Sequence, residues 1–470
     1  MIVLETRKTD LLIIGAGPGG YVSAIYAAKK GLDVTLIEKR FLGGTCLNVG
    51  CIPTKSLVKS ADVFTEAKEG EKYGVVAKEV TIDLENAVAR KDFVVKNLTD
   101  GIGVLLEKNG VKVINGTASF LDDSRVLVKS EDTETVFSAK DIIIATGSKT
   151  KHLPINIETP EIYLDSEGLL KNTKLPETMT VIGGGIIGME FAFAYGRCGV
   201  KVEVIEFLPS ILPMVDRDLS MRLLRYAKMS NIHITTSAKV TEVKKSESGK
   251  ALVCFETNGE MRSVEADLVL EAVGRGPETN MLGLENTSIK IGKRGEITVD
   301  DRMKTSVESI YAIGDVNNKM QLAHVASHQG MIAVENILGK DAKMDYTHVP
   351  SVIFTSPQIA TIGKSEAELQ AEGTEYRVVR VPYSANGKAL ISDSQAGFIK
   401  LLAKSEGNEL YGAQIFGNDA EHLIASLDVA MTNNLSVEDI KKTIFAHPTI
   451  SEIIHEAYLG LAKEAIHFLN

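Results

Sequence analysis

Cysteine is scarce in this chain. Its 470 residues hold four, Cys46, Cys51, Cys198 and Cys254. That is no disulfide framework, and it fits a reducing compartment, where a disulfide is more often catalytic than structural. Basic runs are absent and the net charge is −10. Nucleic-acid binding is disfavoured, because neutralising phosphates needs a basic face. No apolar stretch approaches the ~18 residues of a membrane span; Leu11 to Ile14 is only strand length. Met1 to Asp10 interleaves charges and lacks an apolar export core. The expectation is a cytoplasmic protein with no membrane partner.

Hydrophobic residues make up 44% and charged residues 24% of the chain, an ordinary balance for a globular protein. The length is too great for one core and suggests about three domains. Asp10 to Ile14 reads as a buried strand, followed by Gly15-Ala16-Gly17-Pro18-Gly19-Gly20. A helix from Tyr21 to Lys30 and a strand from Asp33 to Glu38 come next. In this G-x-G-x-x-G fingerprint Gly15 makes the turn, Gly17 admits a pyrophosphate, and Gly20 lets helix and strand pack closely. Glu38 is placed to bond a ribose hydroxyl. The unit recurs: strand Thr180 to Ile182, Gly183-Gly184-Gly185-Ile186-Ile187-Gly188, helix Met189 to Arg197, strand Lys201 to Glu206. Gly20 to Glu38 and Gly188 to Glu206 are both 18 residues. One such motif is weak; two with matched acids imply two dinucleotides, or a duplicated domain with one site lost.

Cys46 and Cys51 lie in Gly43-Gly44-Thr45-Cys46-Leu47-Asn48-Val49-Gly50-Cys51-Ile52-Pro53-Thr54-Lys55, just after the first fingerprint. C-x4-C is too wide for a zinc knuckle or a thioredoxin-type motif. Positions i and i+5 of a helix do not stack, but a distortion at Gly50 could bring the sulfurs into bridging range. The pair reads as a redox-active disulfide or as two buried thiols, and the neighbouring fingerprint favours the first. Cys198, near a helix end, and Cys254, in a strand, read as thiols without chemistry.

Three more strands end in tight turns, at Thr146-Gly147, Gly274-Arg275 and Gly314-Asp315. Ligands sit at the carboxyl ends of strands in open α/β sheets, so these ends are expected to line cofactor sites. Asp315 could bond a polyol or ribose hydroxyl, or serve as a turn residue. From about Tyr346 the pattern becomes α+β, with short strands within 349–354, 359–363, 376–383, 397–403 and 410–416, then helices. Near its end stands Ala446-His447-Pro448-Thr449-Ile450-Ser451-Glu452. By spacing alone this reads as a helix entry with Thr449 or Ser451 capping; the alternative is a histidine base oriented by Glu452.

The cysteine signature resembles that of the FAD-dependent pyridine nucleotide-disulfide oxidoreductases, and Leu47 and Ile52 resemble the lipoamide branch. The resemblance spans essentially the whole chain. Thr305 to Asp315 is similar to the family's second flavin motif, Ala323-His324-Val325-Ala326-Ser327-His328-Gln329-Gly330 to the adjoining helix, and His447-Pro448-Thr449-Ile450-Ser451-Glu452 to its base motif. It implies an α/β fold: two Rossmann-like dinucleotide-binding domains plus a C-terminal α+β dimerisation domain. The expected boundaries are 1–148 (FAD and disulfide), 149–274 (NAD), 275–346 (completing the FAD site) and 347–470 (interface).

The implied cofactors are FAD and NAD. Gly15, Gly17, Gly20 and Glu38 would hold FAD, with Gly44, Thr45, Gly116, Thr146, Gly147, Asp315, Gln321, Leu322, Ala323 and His324 around it. Gly183, Gly185, Gly188, Glu206, Gly274 and Arg275 would serve the nicotinamide side. An acid at Glu206, with no arginine in Phe207-Leu208-Pro209-Ser210, favours NAD over its 2′-phosphate. Cys51 would face the flavin and Cys46 would exchange with substrate. Lys55 and Glu190 would pair near the flavin, which accounts for a charge inside an apolar helix. His447 with Glu452 would supply the base, from the partner subunit of a homodimer. The implied reaction oxidises dihydrolipoamide on lipoylated domains of 2-oxoacid dehydrogenase or glycine cleavage complexes; with the first strand so near the start, no fused lipoyl domain is expected. The rival readings are a glutathione-type disulfide reductase and a regulatory flavin redox sensor. Mercuric reductase is discounted, because no cysteine lies beyond Cys254.

Overall fold

The computed structural model describes residues 6–405 and 409–469, so residues 1–5 of the Met1 to Asp10 stretch lie outside it. β1 (Thr6–Ile14), α1 (Pro18–Lys29) and β2 (Val34–Glu38) open a parallel sheet. α2 (Gly44–Val49), α3 (Cys51–Lys68) and α4 (Leu84–Lys108) intervene before β3 (Lys112–Asn115) pairs with β2. β4 (Thr117–Phe120), β5 (Arg125–Lys129) and β6 (Glu134–Ile144) complete the order β3-β2-β1-β6-β5-β4. Leu11 to Ile14 are at most 4% exposed, because a parallel sheet is covered on both faces. β1 begins four residues before the expected Asp10. Its first three residues are polar and exposed, so no apolar run marks them, yet they pair with Val136 to Ser138 of β6. α1 begins at Pro18 rather than Tyr21, since the fingerprint's last glycines already form its first turn around a proline suited to that position.

The chain crosses to a second unit through β7 (Ser148–Thr150), β8 (Asn156–Ile157), β9 (Tyr163–Asp165) and α5 (Ser166–Leu169). There β10 (Thr178–Ile182), α6 (Ile186–Arg197), β11 (Lys201–Ile205), α7 (Arg217–Met229) and β12 (Ile232–Thr235) repeat the first unit's β-α-β start. β13 (Ala238–Lys245), β14 (Ala251–Thr257) and β15 (Glu260–Ala266) form an antiparallel layer with β8. β16 (Leu268–Glu271) completes the parallel order β12-β11-β10-β16-β9. β17 (Arg275–Pro277) pairs antiparallel with β7, so both crossings between the units run side by side. The chain then returns to the first sheet, where β18 (Ile310–Ala312) pairs with β6. α8 (Ala323–Ile337) lies against α1 so closely that a side chain at Gly330 would overlap Ser23.

The third unit is an antiparallel sheet of order β19-β20-β23-β22-β21, built from β19 (Ser351–Ile353), β20 (Ile359–Gly363), β21 (Tyr376–Pro382), β22 (Phe398–Lys404) and β23 (Leu410–Phe416). α9 (Glu366–Ala371), α10 (Gly387–Ile391), α11 (Ala420–Thr432), α12 (Val437–Lys441) and α13 (Glu452–Leu461) accompany it. Lys400, wholly buried on β22, donates to Asp216 (2.8 Å), Asp218 (3.1 Å) and Glu366 (2.9 Å), which ties the second unit to the third. Three carboxylates around one ammonium keep that buried charge compensated. Among the described residues, no helix is long and apolar enough to cross a membrane.

Candidate active site

The two fingerprints fold alike. A side chain on Gly20 would overlap the carbonyl of Gly15, and one on Gly188 the carbonyl of Gly183. These glycines therefore serve close packing at the helix start. Gly15 and Gly183 turn the chain with φ of +103° and +110°. Gly17 and Gly185 differ: a Cβ at either position would meet nothing within 4 Å. They open the space in front of α1 and α6, neither of which has a side-chain cap on its first amides. Free amides at a helix start, facing open space beside a glycine, fit the pyrophosphate of a dinucleotide. Glu38 accepts from the amides of Ala16 and Arg40, both at 2.7 Å. Glu206 accepts from Gly184 (2.5 Å) and Leu208 (2.6 Å). Each carboxylate thus holds its own glycine loop, and its remaining lone pairs can meet a ribose.

The cysteine helix is anchored on the first fingerprint. Gly43 donates to the carbonyl of Ala16 at 2.9 Å, and a Cβ on Gly44 would stand 2.6 Å from the Cα of Gly17. Cys46 lies on α2 and Cys51 opens α3. The break falls at Gly50, which packs so tightly on the Thr45 carbonyl that a Cβ there would stand only 2.9 Å from its oxygen. Two helices meeting at a glycine therefore bring together sulfurs that one continuous helix would separate. Both cysteines are thiols in this structure, Cys51 exposed and Cys46 partly buried. Hydrogen bonding from the Cys46 thiol is the main cause that holds the Cys51 thiol down at about 7, and Lys55 adds to it against burial and Glu190. The same partnership, with burial, pushes Cys46 well above the ordinary thiol range. Cys51 is therefore the thiolate of the pair.

Charged groups gather around it. The Lys55 ammonium meets both Glu190 oxygens, at 3.0 and 2.7 Å, and stands 4.7 Å from the Phe354 ring centre. Phe354 also donates its amide to Glu190 at 3.0 Å. Burial lowers the Arg275 guanidinium from its usual value, while the charges of Asp315 and Cys51 act to raise it. Arg275 donates to Ser148 Oγ (2.8 Å) and to the Ser148 carbonyl (2.6 Å), and Ser148 Oγ donates to Asp315 (2.5 Å). Burial raises the Asp315 carboxyl despite these contacts. Thr146 donates to the Glu278 carbonyl at 2.7 Å. Gly147 and Gly274 turn beside the β7–β17 crossing, and Gly116 bonds the Glu38 carbonyl at the end of β2. Leu322 and Ala323 start α8 without a side-chain cap, His324 reaches the Pro350 carbonyl at 2.9 Å, and Gln321 is exposed.

His447 and Glu452 form a pair elsewhere. The Glu452 carboxylate accepts from His447 Nδ1 at 3.0 Å and from the Thr449 amide at 2.9 Å. Although burial raises the Glu452 carboxyl, these donors outweigh it and hold the group ionised. The capping expected of Thr449 or Ser451 does not occur. The Thr449 hydroxyl instead donates to the Ala446 carbonyl, and Ser451 makes no side-chain cap on α13. His447 is exposed, and among the described residues no hydrogen bond links it to either thiol. Sequence reasoning missed Phe354 and Ser148. Phe354 acts through its backbone amide, which carries no residue signature, and Ser148 through a position defined only by the crossing strands.

This assembly, two fingerprint sites flanking a C-x4-C dithiol, defines a class. Residues 9–330 match the family model for pyridine nucleotide-disulphide oxidoreductases, and residues 349–458 match that family's dimerisation domain. The chain belongs to this family and is an oxidoreductase that uses FAD and NAD; the dimerisation domain supports a homodimer. Its relatives include dihydrolipoyl dehydrogenases. That of Geobacillus stearothermophilus is 41% identical over 463 residues, covering 98% of both chains. That of Bacillus subtilis (strain 168) is 42% identical over 464 residues, again covering 98% of both. Among solved structures, LpdA from Mycobacterium tuberculosis superposes with a TM-score of 0.91 at 29% identity, covering 96% of this chain and 99% of that one. The HOCl-induced flavoprotein disulfide reductase RclA from Escherichia coli gives 0.85 at 29% identity, covering 96% and 99%.

Proposed function

We propose that this chain is a dihydrolipoyl dehydrogenase that oxidises protein-bound dihydrolipoamide and reduces NAD+ to NADH. The observation that carries the reading is the dithiol itself, clamped by Gly44 against the Gly17 loop. Full-length relatives named dihydrolipoyl dehydrogenase at about 40% identity support the substrate.

In this reading Gly17, Glu38, Gly116, Thr146, Asp315 and the start of α8 hold FAD, and Gly185, Glu206 and Gly274 hold NAD. FAD supplies a two-electron acceptor between the dithiol and NAD. His447 Nε2 takes a proton from one substrate thiol, because a free thiol is mostly protonated at neutral pH. The thiolate attacks Sγ of oxidised Cys46; an S–S bond forms to substrate and the Cys46–Cys51 bond breaks, releasing Cys51 as thiolate. The second substrate thiol then displaces Cys46 and closes the lipoyl ring. Substrate loses two electrons and two protons; the cysteine pair gains the two electrons, His447 hands the first proton to the departing Cys46 sulfur, and it keeps the second, taken from the other substrate thiol. Glu452 keeps the Nδ1 proton in place, orients the ring and stabilises the imidazolium. Lys55 and Arg275 favour the Cys51 thiolate through their charge. His447 acts on the partner subunit's dithiol, a reading supported by the dimerisation domain and by the lack, among the described residues, of a hydrogen bond from His447 to either thiol of its own chain. The lipoylated domains belong to a 2-oxoacid dehydrogenase or glycine cleavage complex.

The test is substrate choice. Purified protein should reduce NAD+ rapidly with dihydrolipoamide and show negligible NADPH-driven glutathione reduction. The reverse pattern would replace this reading with a glutathione-type reductase.

A further inference from the structure

α13 carries a second glutamate one turn beyond Glu452, and it too is matched by a histidine. Glu456 is 8% exposed. Its Oε1 accepts from His467 Nδ1 at 2.7 Å, and its Oε2 accepts from the backbone amides of Ile466 (3.2 Å) and His467 (3.1 Å). The chain reaches that position by reversing at the end of α13. Lys463 turns it in the left-handed region at φ +61°, Glu464 donates its amide to the Leu459 carbonyl at 2.8 Å, and the Glu464 carboxylate meets Lys441 of α12 at 2.5 Å. Phe468 then packs on the third unit's core. The C-terminal segment is thus folded back along the helix that carries Glu452.

A buried carboxylate without donors would be costly, so three donors from one short segment make a firm clasp. Glu452 is the first residue of α13, partly exposed beside the buried Ile453 and Ile454, and orients a histidine that is exposed. Its placement therefore depends on how α13 is seated.

We propose that His467 is a positioning residue for thiol oxidation: by closing the C-terminal segment onto Glu456 it seats α13, and through Glu452 it sets the orientation of His447. This rests on the function proposed above. A misaligned base lowers the rate of proton abstraction without altering steps that need no base.

The test uses the FAD-loaded dimer and two assays, dihydrolipoamide-driven NAD+ reduction and NADH-driven ferricyanide reduction, which needs no thiol base. His467→Ala should lower kcat of the first by about tenfold, with KM for dihydrolipoamide and the ferricyanide rate unchanged. His467→Asn, whose side-chain amide can still donate to Glu456, should recover most of that loss. Unchanged kcat in His467→Ala, parallel loss in both assays, or a His467→Asn protein as slow as His467→Ala would each overturn the proposal. Wild-type protein that runs the ferricyanide assay but does not oxidise dihydrolipoamide would instead overturn the reading on which it rests.

Discussion

Lys55 and Glu190, 135 positions apart, share two hydrogen bonds, one to each carboxylate oxygen. The pair joins the helix of Cys51 to the second fingerprint helix, and the Phe354 amide adds the third unit to the same carboxylate. Lys55→Met should leave Glu190, 3% exposed, with one remaining donor. The expected cost is about 2 kcal/mol, below that of a fully buried pair because the lysine is 30% exposed. Urea denaturation of the variant against the parent measures it.

Cys46 sets the ionisation of Cys51. Thiolate absorbance of the reduced apoprotein should rise through a midpoint near 7, the value to which Cys51 is lowered from 9.0. Cys198, raised by burial to about 11, and Cys254, also raised by burial, should stay silent there. Cys46→Ala removes the donor and should move the midpoint up toward the ordinary value, whereas Cys46→Ser retains a hydroxyl and should keep it low. Because the folded-state value is depressed, the stabilisation from this ionisation is full above the unfolded thiol's value and is lost as pH falls through 7.

The first fingerprint separates packing from cofactor binding. Gly17→Ala places a methyl where the protein has no atom within 4 Å. It should fold, with a circular dichroism spectrum like the parent's, and bind FAD at least tenfold more weakly, about 1.4 kcal/mol. Gly20→Ala would overlap the Gly15 carbonyl and should fail in both measurements. Parental FAD affinity in Gly17→Ala would show that the pyrophosphate lies elsewhere.

His447 is expected to act only on thiols. His447→Gln should lower dihydrolipoamide turnover by roughly 10²–10⁴-fold, the usual worth of a positioned base. FAD content and NADH-driven ferricyanide reduction should remain. Mixing it with a second inactive variant, Cys46→Ser, tests where the base acts. Heterodimers holding one intact pair should regain turnover if the histidine serves the partner's dithiol.

The local elements were legible because their signals are local. Glycine spacing, strand length and a terminal acid mark both fingerprints, and β23 falls at Leu410 to Phe416 as its apolar run indicates. The polar start of β1 was not legible, since its pairing partner is more than a hundred residues away. Nor was the manner in which Glu38 and Glu206 bind their own glycine loops.

Residue order alone therefore determined which chemistry this chain carries: a dithiol five residues apart, two dinucleotide turns and a histidine with its acid, all encoded within short segments. Only tertiary structure decided how these groups act on one another. The helix break at Gly50, the seat of Gly44 on Gly17 and the three-way contact at Glu190 depend on close approach between distant segments. Such approaches are set by packing and by compensation of buried charge, and neither is written in the spacing of residues along the chain.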